Sequence, residues 1–333
     1  MTAESSNVNK THAYSYLGPI GTFTELALAQ VPEAAGATWR AVSHVQDAID
    51  DVLSGASVGA VIPVENSIEG GVSATLDALA ADAKIRIVGE YLVPVTFDLV
   101  ARPGTKLADV HTVATHPVAY AQTRKWLLAN LPGHAHLPAT STAAAAAGLV
   151  SDSDDATNPA GLSGPGHADA AVSAPAITRH YAVEVLASNI GEYENAQTRF
   201  IQIALQGSQA GNLPAPTGSD KTSVIVELPE DRPGALLEML EQFATRGVNL
   251  TRIESRPIGD RLGRYRFNID AEGHVGDSAV AEALKGLHRF SPRVIFLGSY
   301  PRADREASIH TGNNSDAAFA AAEVWLAELA NRA

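Results

Sequence analysis

The chain has no cysteine. Disulfides, thiolate metal sites and cysteine nucleophiles are therefore excluded, and compartment is left open. Positive charge is scarce: 24 lysines and arginines stand against 37 aspartates and glutamates, a formal net charge of −13. That balance argues for solubility and against non-specific nucleic-acid binding, although a local site on an acidic protein can still be positive. No apolar run approaches the ~20 residues of a membrane span. The opening MTAESSNVNKTHAYS lacks the apolar core of a signal peptide, so a cytoplasmic protein with no membrane partner is expected. A dinucleotide fingerprint is missing too: after GPG at 164–166, Asp169 stands where a third glycine belongs, and no strand precedes it. His134 and His136 have no further ligands at metal spacing and read as loop residues. No metal and no cofactor is expected.

What is present is a chain of 333 residues, 45% hydrophobic and 18% charged, globular in composition and long enough for two or three domains. From 14 to about 205, short apolar runs alternate with helical patterns. YSYL, VGAVIPV, VHTVAT, DAAVSA and FIQIAL read as strands and IRIVGEYLVPVTFDLVA as one strand or two; TELALAQV, GVSATLDALA, PVAYAQTRKWLLANL and STAAAAAGLV read as helices. The alternation is that of an α/β sheet protein. A polar, Gly/Pro-rich stretch at 151–166 reads as a loop, and another at 206–220 as a domain linker. Over 221–302 the order becomes β-α-β-β-α-β, the ferredoxin-like module. Gly247 stops its first helix and GDRLG turns its hairpin. A tail, 303–333, carries an Ala-rich helical stretch.

The helix starts of the first region are unusually polar. In GPIGTFTE, glycines bracket a turn, and Thr22 with Glu25 three residues on fits a capping box. PVENSIEGG puts Glu65, Asn66 and Ser67 before a helix. In ATHPVAYAQ, Pro117 takes a first helical position, with Thr115 or His116 as cap. Ser141 and Thr142 open STAAAAAG. NAQTRF sets Asn195, Gln197, Thr198 and Arg199 at the mouth of an otherwise apolar strand. Any one of these is an ordinary cap. Together, at the carboxyl ends of strands in an open sheet, they suit a small, multiply charged anion held by backbone N–H groups and hydroxyls.

GPIGTFTELA, PVENSIEGG, THPVAYAQ, TSTAAAA and NAQTRF, in this order, resemble the prephenate dehydratase family. GALLEML and ESRP beyond the linker resemble its regulatory ACT domain. The resemblance covers about 14–302 and is to the monofunctional bacterial type. It implies a catalytic region, 14–205, of two lobes like those of periplasmic solute-binding proteins, the first about 14–93 and 176–205, the second about 94–175. The ACT domain is then 221–302. The implied reaction turns prephenate into phenylpyruvate, water and carbon dioxide, in phenylalanine biosynthesis. Carried over, Thr198, Asn66 and Gln122 are catalytic. Arg199, Phe200, Thr115, His116, Glu65, Ser67, Thr22, Ser141 and Thr142 bind substrate. L-phenylalanine is the expected effector, at Gly234, Ala235, Leu236, Asn249, Leu250, Glu254 and Ser255, on a subunit interface of a homodimer or homotetramer. Val118 departs from the family pattern, which has a glutamine there, and takes no polar role.

Some of these residues have structural readings. Glu65 and His116 are either the proton source or, respectively, a helix-terminus acceptor and a cap, and Arg199 is either a carboxylate ligand or an ion pair within its lobe. A non-catalytic solute-binding or sensor protein uses the same architecture; the intact TRF stands against it. The dehydration itself needs general-acid assistance and positioning, since aromatisation supplies the driving force.

Overall fold

The structure is a computed structural model, and it describes residues 12–151, 168–259, 263–308 and 312–331. The loop expected at 151–166, the central residues of the GDRLG turn and the polar start therefore lie largely outside the described residues. In chain order the elements run β1 Ala13–Leu17, α1 Phe23–Leu28, β2 Thr38–Val42, α2 Val45–Ser54, β3 Gly59–Asn66, β4 Gly70–Gly71, α3 Ser73–Ala81, β5 Ile85–Pro94 and β6 Asp98–Ala101. There follow β7 Thr112–Thr115, α4 Pro117–Asn130, β8 Ala135–Pro138, α5 Thr142–Val150, β9 Ala170–Ser173, β10 Glu184–Ala187 and β11 Gln197–Leu205. The last part is β12 Asp220–Glu227, α6 Ala235–Ala244, β13 Leu250–Pro257, β14 Tyr265–Glu272, α7 Ser278–Phe290, β15 Val294–Pro301 and α8 Asp316–Asn331.

These strands make three sheets. The first runs β2-β1-β3-β11-β5, with β4 on β3; the second runs β10-β6-β9-β7-β8; the third runs β13-β14-β12-β15. In the second sheet β7 is parallel to β8 and β9, while β6 is antiparallel to β9 and β10. Successive side chains of a strand face opposite ways, and here both ways are buried. Leu99, Val113 and Val172 pack with Leu127 of α4. Val100, Ala114 and Ala171 pack with Ala143, Ala146 and Leu149 of α5. The alanine run of α5 is buried nearly throughout; small side chains let that helix lie close to the sheet.

Some sequence expectations shift. IRIVGEYLVPVTFDLVA, which its sequence leaves as one strand or two, forms two, β5 and β6, in different sheets. The boundary expected at 175–180 groups 176–205 with the first lobe, yet β10 inside that range pairs with β6 of the second sheet. TELALAQV supplies only the short α1. The expected Thr22–Glu25 capping box does not form: the Thr22 hydroxyl turns back to donate to the Leu17 carbonyl (3.3 Å), and Glu25 accepts from the Gly21 N–H (2.5 Å) one residue before the cap. Glu25 also pairs with His180 at 2.7 Å. Gly21 sits at φ +86, where a side chain would also run into Ile177, so this turn requires glycine.

The chain gathers into two compact units. One holds the described residues up to Ala48 with Val61–Gly70 and Leu92–Phe200; the other holds Ile49–Ala60, Gly71–Tyr91 and the described residues from Ile201 on. In the second unit the β-α-β-β-α-β order is present. One face of its four-stranded sheet (Val224, Val226, Phe267, Ile269) meets Met239, Phe243, Ala283 and Leu287 of α6 and α7. The other face is polar but buried. There Ser223 Oγ donates to Asp270 (2.5 Å) and meets the Tyr300 hydroxyl at 2.6 Å. Strand β13 is an edge, and its residues alternate between half-buried and exposed.

Candidate functional site

A cavity of about 280 Å³ lies in the first unit. Its walls come from the residues after β1, the ends of β3 and β11, the β5–β6 connection, and the starts of α4 and α5. Asn66 ends β3, and β11 carries Thr198 near its start. Asn66 Nδ2 donates to Thr198 Oγ1 at 2.9 Å. The orientation of that amide is settled locally. Asn66 Oδ1 accepts the Ile68 N–H at 2.8 Å and the Glu69 N–H at 3.3 Å, which only an oxygen can do. The amide therefore closes the 66–69 turn and aims its N–H₂ at Thr198 in one act. Among the described residues the Thr198 hydroxyl gives its own proton to nothing. A hydroxyl that accepts a hydrogen bond is polarised toward being a better donor.

Gln122, on the second turn of α4, is 5% exposed and lines the same cavity. Among the described residues its carboxamide has no hydrogen-bond partner. A buried amide left this way costs free energy unless something in the cavity meets it. His116 is the N-cap of α4: its Nδ1 accepts the Val118 N–H at 3.3 Å. Ser141 caps α5 by accepting the Ala144 N–H at 2.9 Å. Ala119 of α4 and Thr142 of α5 are first-turn residues on the cavity wall whose N–H groups these caps do not engage. Thr22, Thr142 and Phe200 line it as well. Helix α1 is a single short turn and half, too short to act as an anion-binding dipole in its own right.

Other carried-over residues stand elsewhere. Thr115 is fully buried, and its hydroxyl donates to the Val172 carbonyl at 2.9 Å; it fastens β7 to β9. Ser67 is exposed, and its hydroxyl accepts the Gln197 N–H at 2.9 Å. Arg199 is buried and paired with Glu65 at 3.3 Å. None of Thr115, Ser67, Arg199 and Glu65 lines the cavity; the last two form the ion-pair alternative.

Apart from Phe200, the apolar lining was not anticipated. Phe23 and Phe97 meet edge to face at 5.8 Å, and Val95 and Pro63 stand beside them. A period-two signal was present in VPVTFD, which sends Val95 and Phe97 to one side. Thr24 and Thr140 add hydroxyls that sequence reasoning also missed.

The effector candidates all fall in the second unit. Gly234 begins α6 with φ +86, a left-handed position that suits glycine, and no side chain caps the helix there. Ala235 is buried and Leu236 is 40% exposed. Asn249 is exposed and its carbonyl accepts the Glu272 N–H. Leu250, Glu254 and Ser255 lie on the edge strand β13. The Glu254 carboxylate packs directly on Gly71, where any Cβ would collide with it.

The first unit thus carries an α/β cavity walled by hydroxyls, amides and phenyl rings, and the second carries a ferredoxin-like module. The comparisons narrow this. The family model for prephenate dehydratase matches residues 14–208, and that for the ACT domain matches 222–289. The chain is 43% identical over 303 residues to the prephenate dehydratase of Mycolicibacterium vanbaalenii, covering 87% of this chain and 91% of that one. It is 42% identical over 313 residues to that of Amycolatopsis methanolica, covering 94% and 96%. Among solved structures, prephenate dehydratase from Arthrobacter aurescens in complex with L-Phe superposes with a TM-score of 0.86 at 50% identity, covering 96% of this chain and 99% of that chain. GqqA, described as a novel type of quorum quenching acylase, superposes with a TM-score of 0.74 at 29% identity, covering 89% and 100%. The chain belongs to the prephenate dehydratase family, with a C-terminal ACT domain.

Proposed function

We infer that the cavity converts prephenate to phenylpyruvate, with Thr198 as the hydrogen-bond donor to the departing ring hydroxyl. The observation that carries this is the Asn66–Thr198 pair: one lone pair of Thr198 is engaged and its proton is directed at nothing else among the described residues. The ring carboxylate leaves as carbon dioxide. Its C–C bonding electrons pass through the ring and expel hydroxide, which takes up one proton and departs as water. The balance needs no redox partner and no electron sink beyond the ring. Gln122 binds substrate or orients the leaving group. The N-terminal turns of α4 and α5 hold the side-chain carboxylate. The phenyl walls of Phe23, Phe97 and Phe200 favour a transition state whose charge is more dispersed than that of the ground-state carboxylate. Closure of two lobes over the cavity excludes water during the reaction.

An acylase reading, suggested by the likeness to GqqA, fits less well. A threonine nucleophile needs a base to take its proton. Thr198 receives a hydrogen bond and, among the described residues, gives none.

The regulatory reading is inhibition by L-phenylalanine at the ACT domain of a cytoplasmic homodimer or homotetramer. The Arthrobacter relative with L-Phe bound supports the effector, and the open edge of β13 supports pairing of two modules. Among the described residues no helix is long and apolar enough to cross a membrane.

The test is turnover of prephenate by purified protein, followed as phenylpyruvate. Thr198→Ala is expected to lower kcat by on the order of 10²-fold or more while the thermal midpoint stays near wild type. Wild-type protein that forms no phenylpyruvate ends the functional reading; a Thr198→Ala variant with near-normal kcat ends the role of the hydroxyl alone.

A further inference from the structure

Asp77 belongs to helix α3, in the catalytic part of the sequence, and lines no part of the cavity. It is nevertheless the meeting point of two arginines of the ACT module. Arg256 donates to it through Nε (3.1 Å) and Nη2 (2.6 Å), a two-pronged grip on both carboxylate oxygens. Arg266 Nη2 adds a third bond at 2.6 Å. The two arginines are direct partners across the β13–β14 ladder. Like charges placed opposite each other on a sheet face repel, and Asp77 is the carboxylate that both of them bond. A third arginine, Arg293 at the start of β15, reaches the Ala80 carbonyl near the carboxyl end of the same helix at 3.4 Å. Asp77 and the three arginines all lie in the second compact unit. Helix α3 is thus held from its middle to its carboxyl end by cations of the regulatory module.

What makes this grip more than a fastening is where Arg256 stands. It follows Glu254 and Ser255 directly in the ESRP stretch. In a strand, successive side chains alternate, so Glu254 and Arg256 share a face. Glu254 rests on Gly71 and Arg256 on Asp77. One strand face therefore meets the segment before α3 and α3 itself. Upstream along the chain, that segment begins at Asn66, the residue that orients Thr198. A displacement of β13 by a ligand at Glu254 and Ser255 must either move Asp77 or break its bonds. Packed elements of this kind shift between discrete arrangements rather than deform smoothly.

We propose that Asp77 is the positioning residue through which an amino acid bound at β13 alters catalysis, with Arg256 and Arg266 as the grip that transmits the shift to α3. The proposal rests on the regulatory reading above. Removing the carboxylate leaves the cavity intact and leaves the effector residues in place, but uncouples one from the other. Coupling of this sort is a free energy shared by two ligands, so it is lost from both directions. Phenylalanine ceases to weaken turnover, and prephenate ceases to weaken phenylalanine binding.

The experiment compares full-length wild type, Asp77→Asn and Asp77→Glu. Three quantities are measured: kcat without effector, inhibition across a phenylalanine titration, and phenylalanine affinity by calorimetry. Hydrogen exchange of the 73–81 amides, without effector, is a fourth. Asp77→Asn is expected to keep kcat within about threefold and to bind phenylalanine. Its inhibition midpoint should rise tenfold or more, or its maximal inhibition should fall below half. Exchange in α3 should be faster, and Asp77→Glu should restore inhibition at least in part. Wild-type inhibition with an unchanged Asp77→Asn curve overturns the coupling alone. Wild type that is neither bound nor inhibited by phenylalanine overturns the regulatory reading and the coupling with it; unchanged exchange in α3 then also removes the grip as a structural element. Loss of phenylalanine binding in Asp77→Asn makes Asp77 part of the effector site and likewise overturns the relay.

Discussion

Thr198 takes its chemical character from a neighbour 132 positions away in the chain. Asn66 is the more informative of the two, because its amide does two things that can be separated. In Asn66→Asp the retained oxygen still accepts the Ile68 and Glu69 N–H groups, so the turn survives. The other oxygen now faces Thr198 as an acceptor and captures the proton that the reaction needs. The expected outcome is a fall in kcat on the order of 10²-fold with a melting temperature close to wild type. Steady-state kinetics beside a thermal scan checks it, and loss of both together would instead mark Asn66 as merely structural. The hydroxyls and amides of the cavity stand out in the sequence as polar residues in apolar surroundings. Which of them face the cavity does not. Thr115 and Thr142 are both threonines at helix starts, yet one is spent on Val172 and the other lines the cavity.

At the scale of elements, Asp169 shows how a strand start is set. Its carboxylate accepts the His111 N–H (2.9 Å), the Thr112 N–H (2.8 Å) and the Thr112 hydroxyl (2.8 Å), just before β9 and at the start of β7. Burial pushes its pKa up, but these hydrogen bonds outweigh burial and hold it below the ordinary carboxylate value. A group whose folded pKa is depressed stabilises the fold above its unfolded pKa and loses that contribution as pH falls through the folded one. The stability gap between wild type and Asp169→Asn should accordingly be full at pH 7. It should narrow below about pH 4–5, where the unfolded carboxyl begins to protonate. Denaturant unfolding at a series of pH values measures it, and a gap independent of pH would remove Asp169 from this role. Elements with two buried faces, such as β6 and β9, were readable as apolar runs. The strands β2 and β10 were not: TWRAV and EVLA are both exposed or half-exposed along their whole length, so neither carries a burial period to detect.

For the whole molecule, the ferredoxin-like module exposes apolar side chains both on its edge strand and on a helix. Ile253 of β13 is 44% exposed, and Leu237 of α6 is 60% exposed. If this edge pairs with that of a second copy, a lysine placed there opposes association, since charge on an edge strand blocks edge-to-edge pairing. Ile253→Lys is expected to lower the mass seen by light scattering to that of a smaller species and to abolish phenylalanine inhibition while prephenate is still turned over. An unchanged mass would refute the edge as the interface. Helix α8 has no buried residue and exposes Val324, Trp325 and Leu326, in keeping with the Ala-rich helical pattern of its sequence.

Motif order, the alternation of strands and helices up to 205, and the βαββαβ run from 221 follow from local patterns. Each rests on residues within a few positions of one another, so the sequence alone could determine them. Pairings between distant residues required the folded chain. Which hydroxyl faces the cavity, that Arg199 is spent on Glu65, that Phe23 meets Phe97, and that Asp77 is gripped from 179 and 189 residues away are all of this kind. Their spacing carries no period, because sheet order and helix docking, not chain distance, bring such groups within bonding reach.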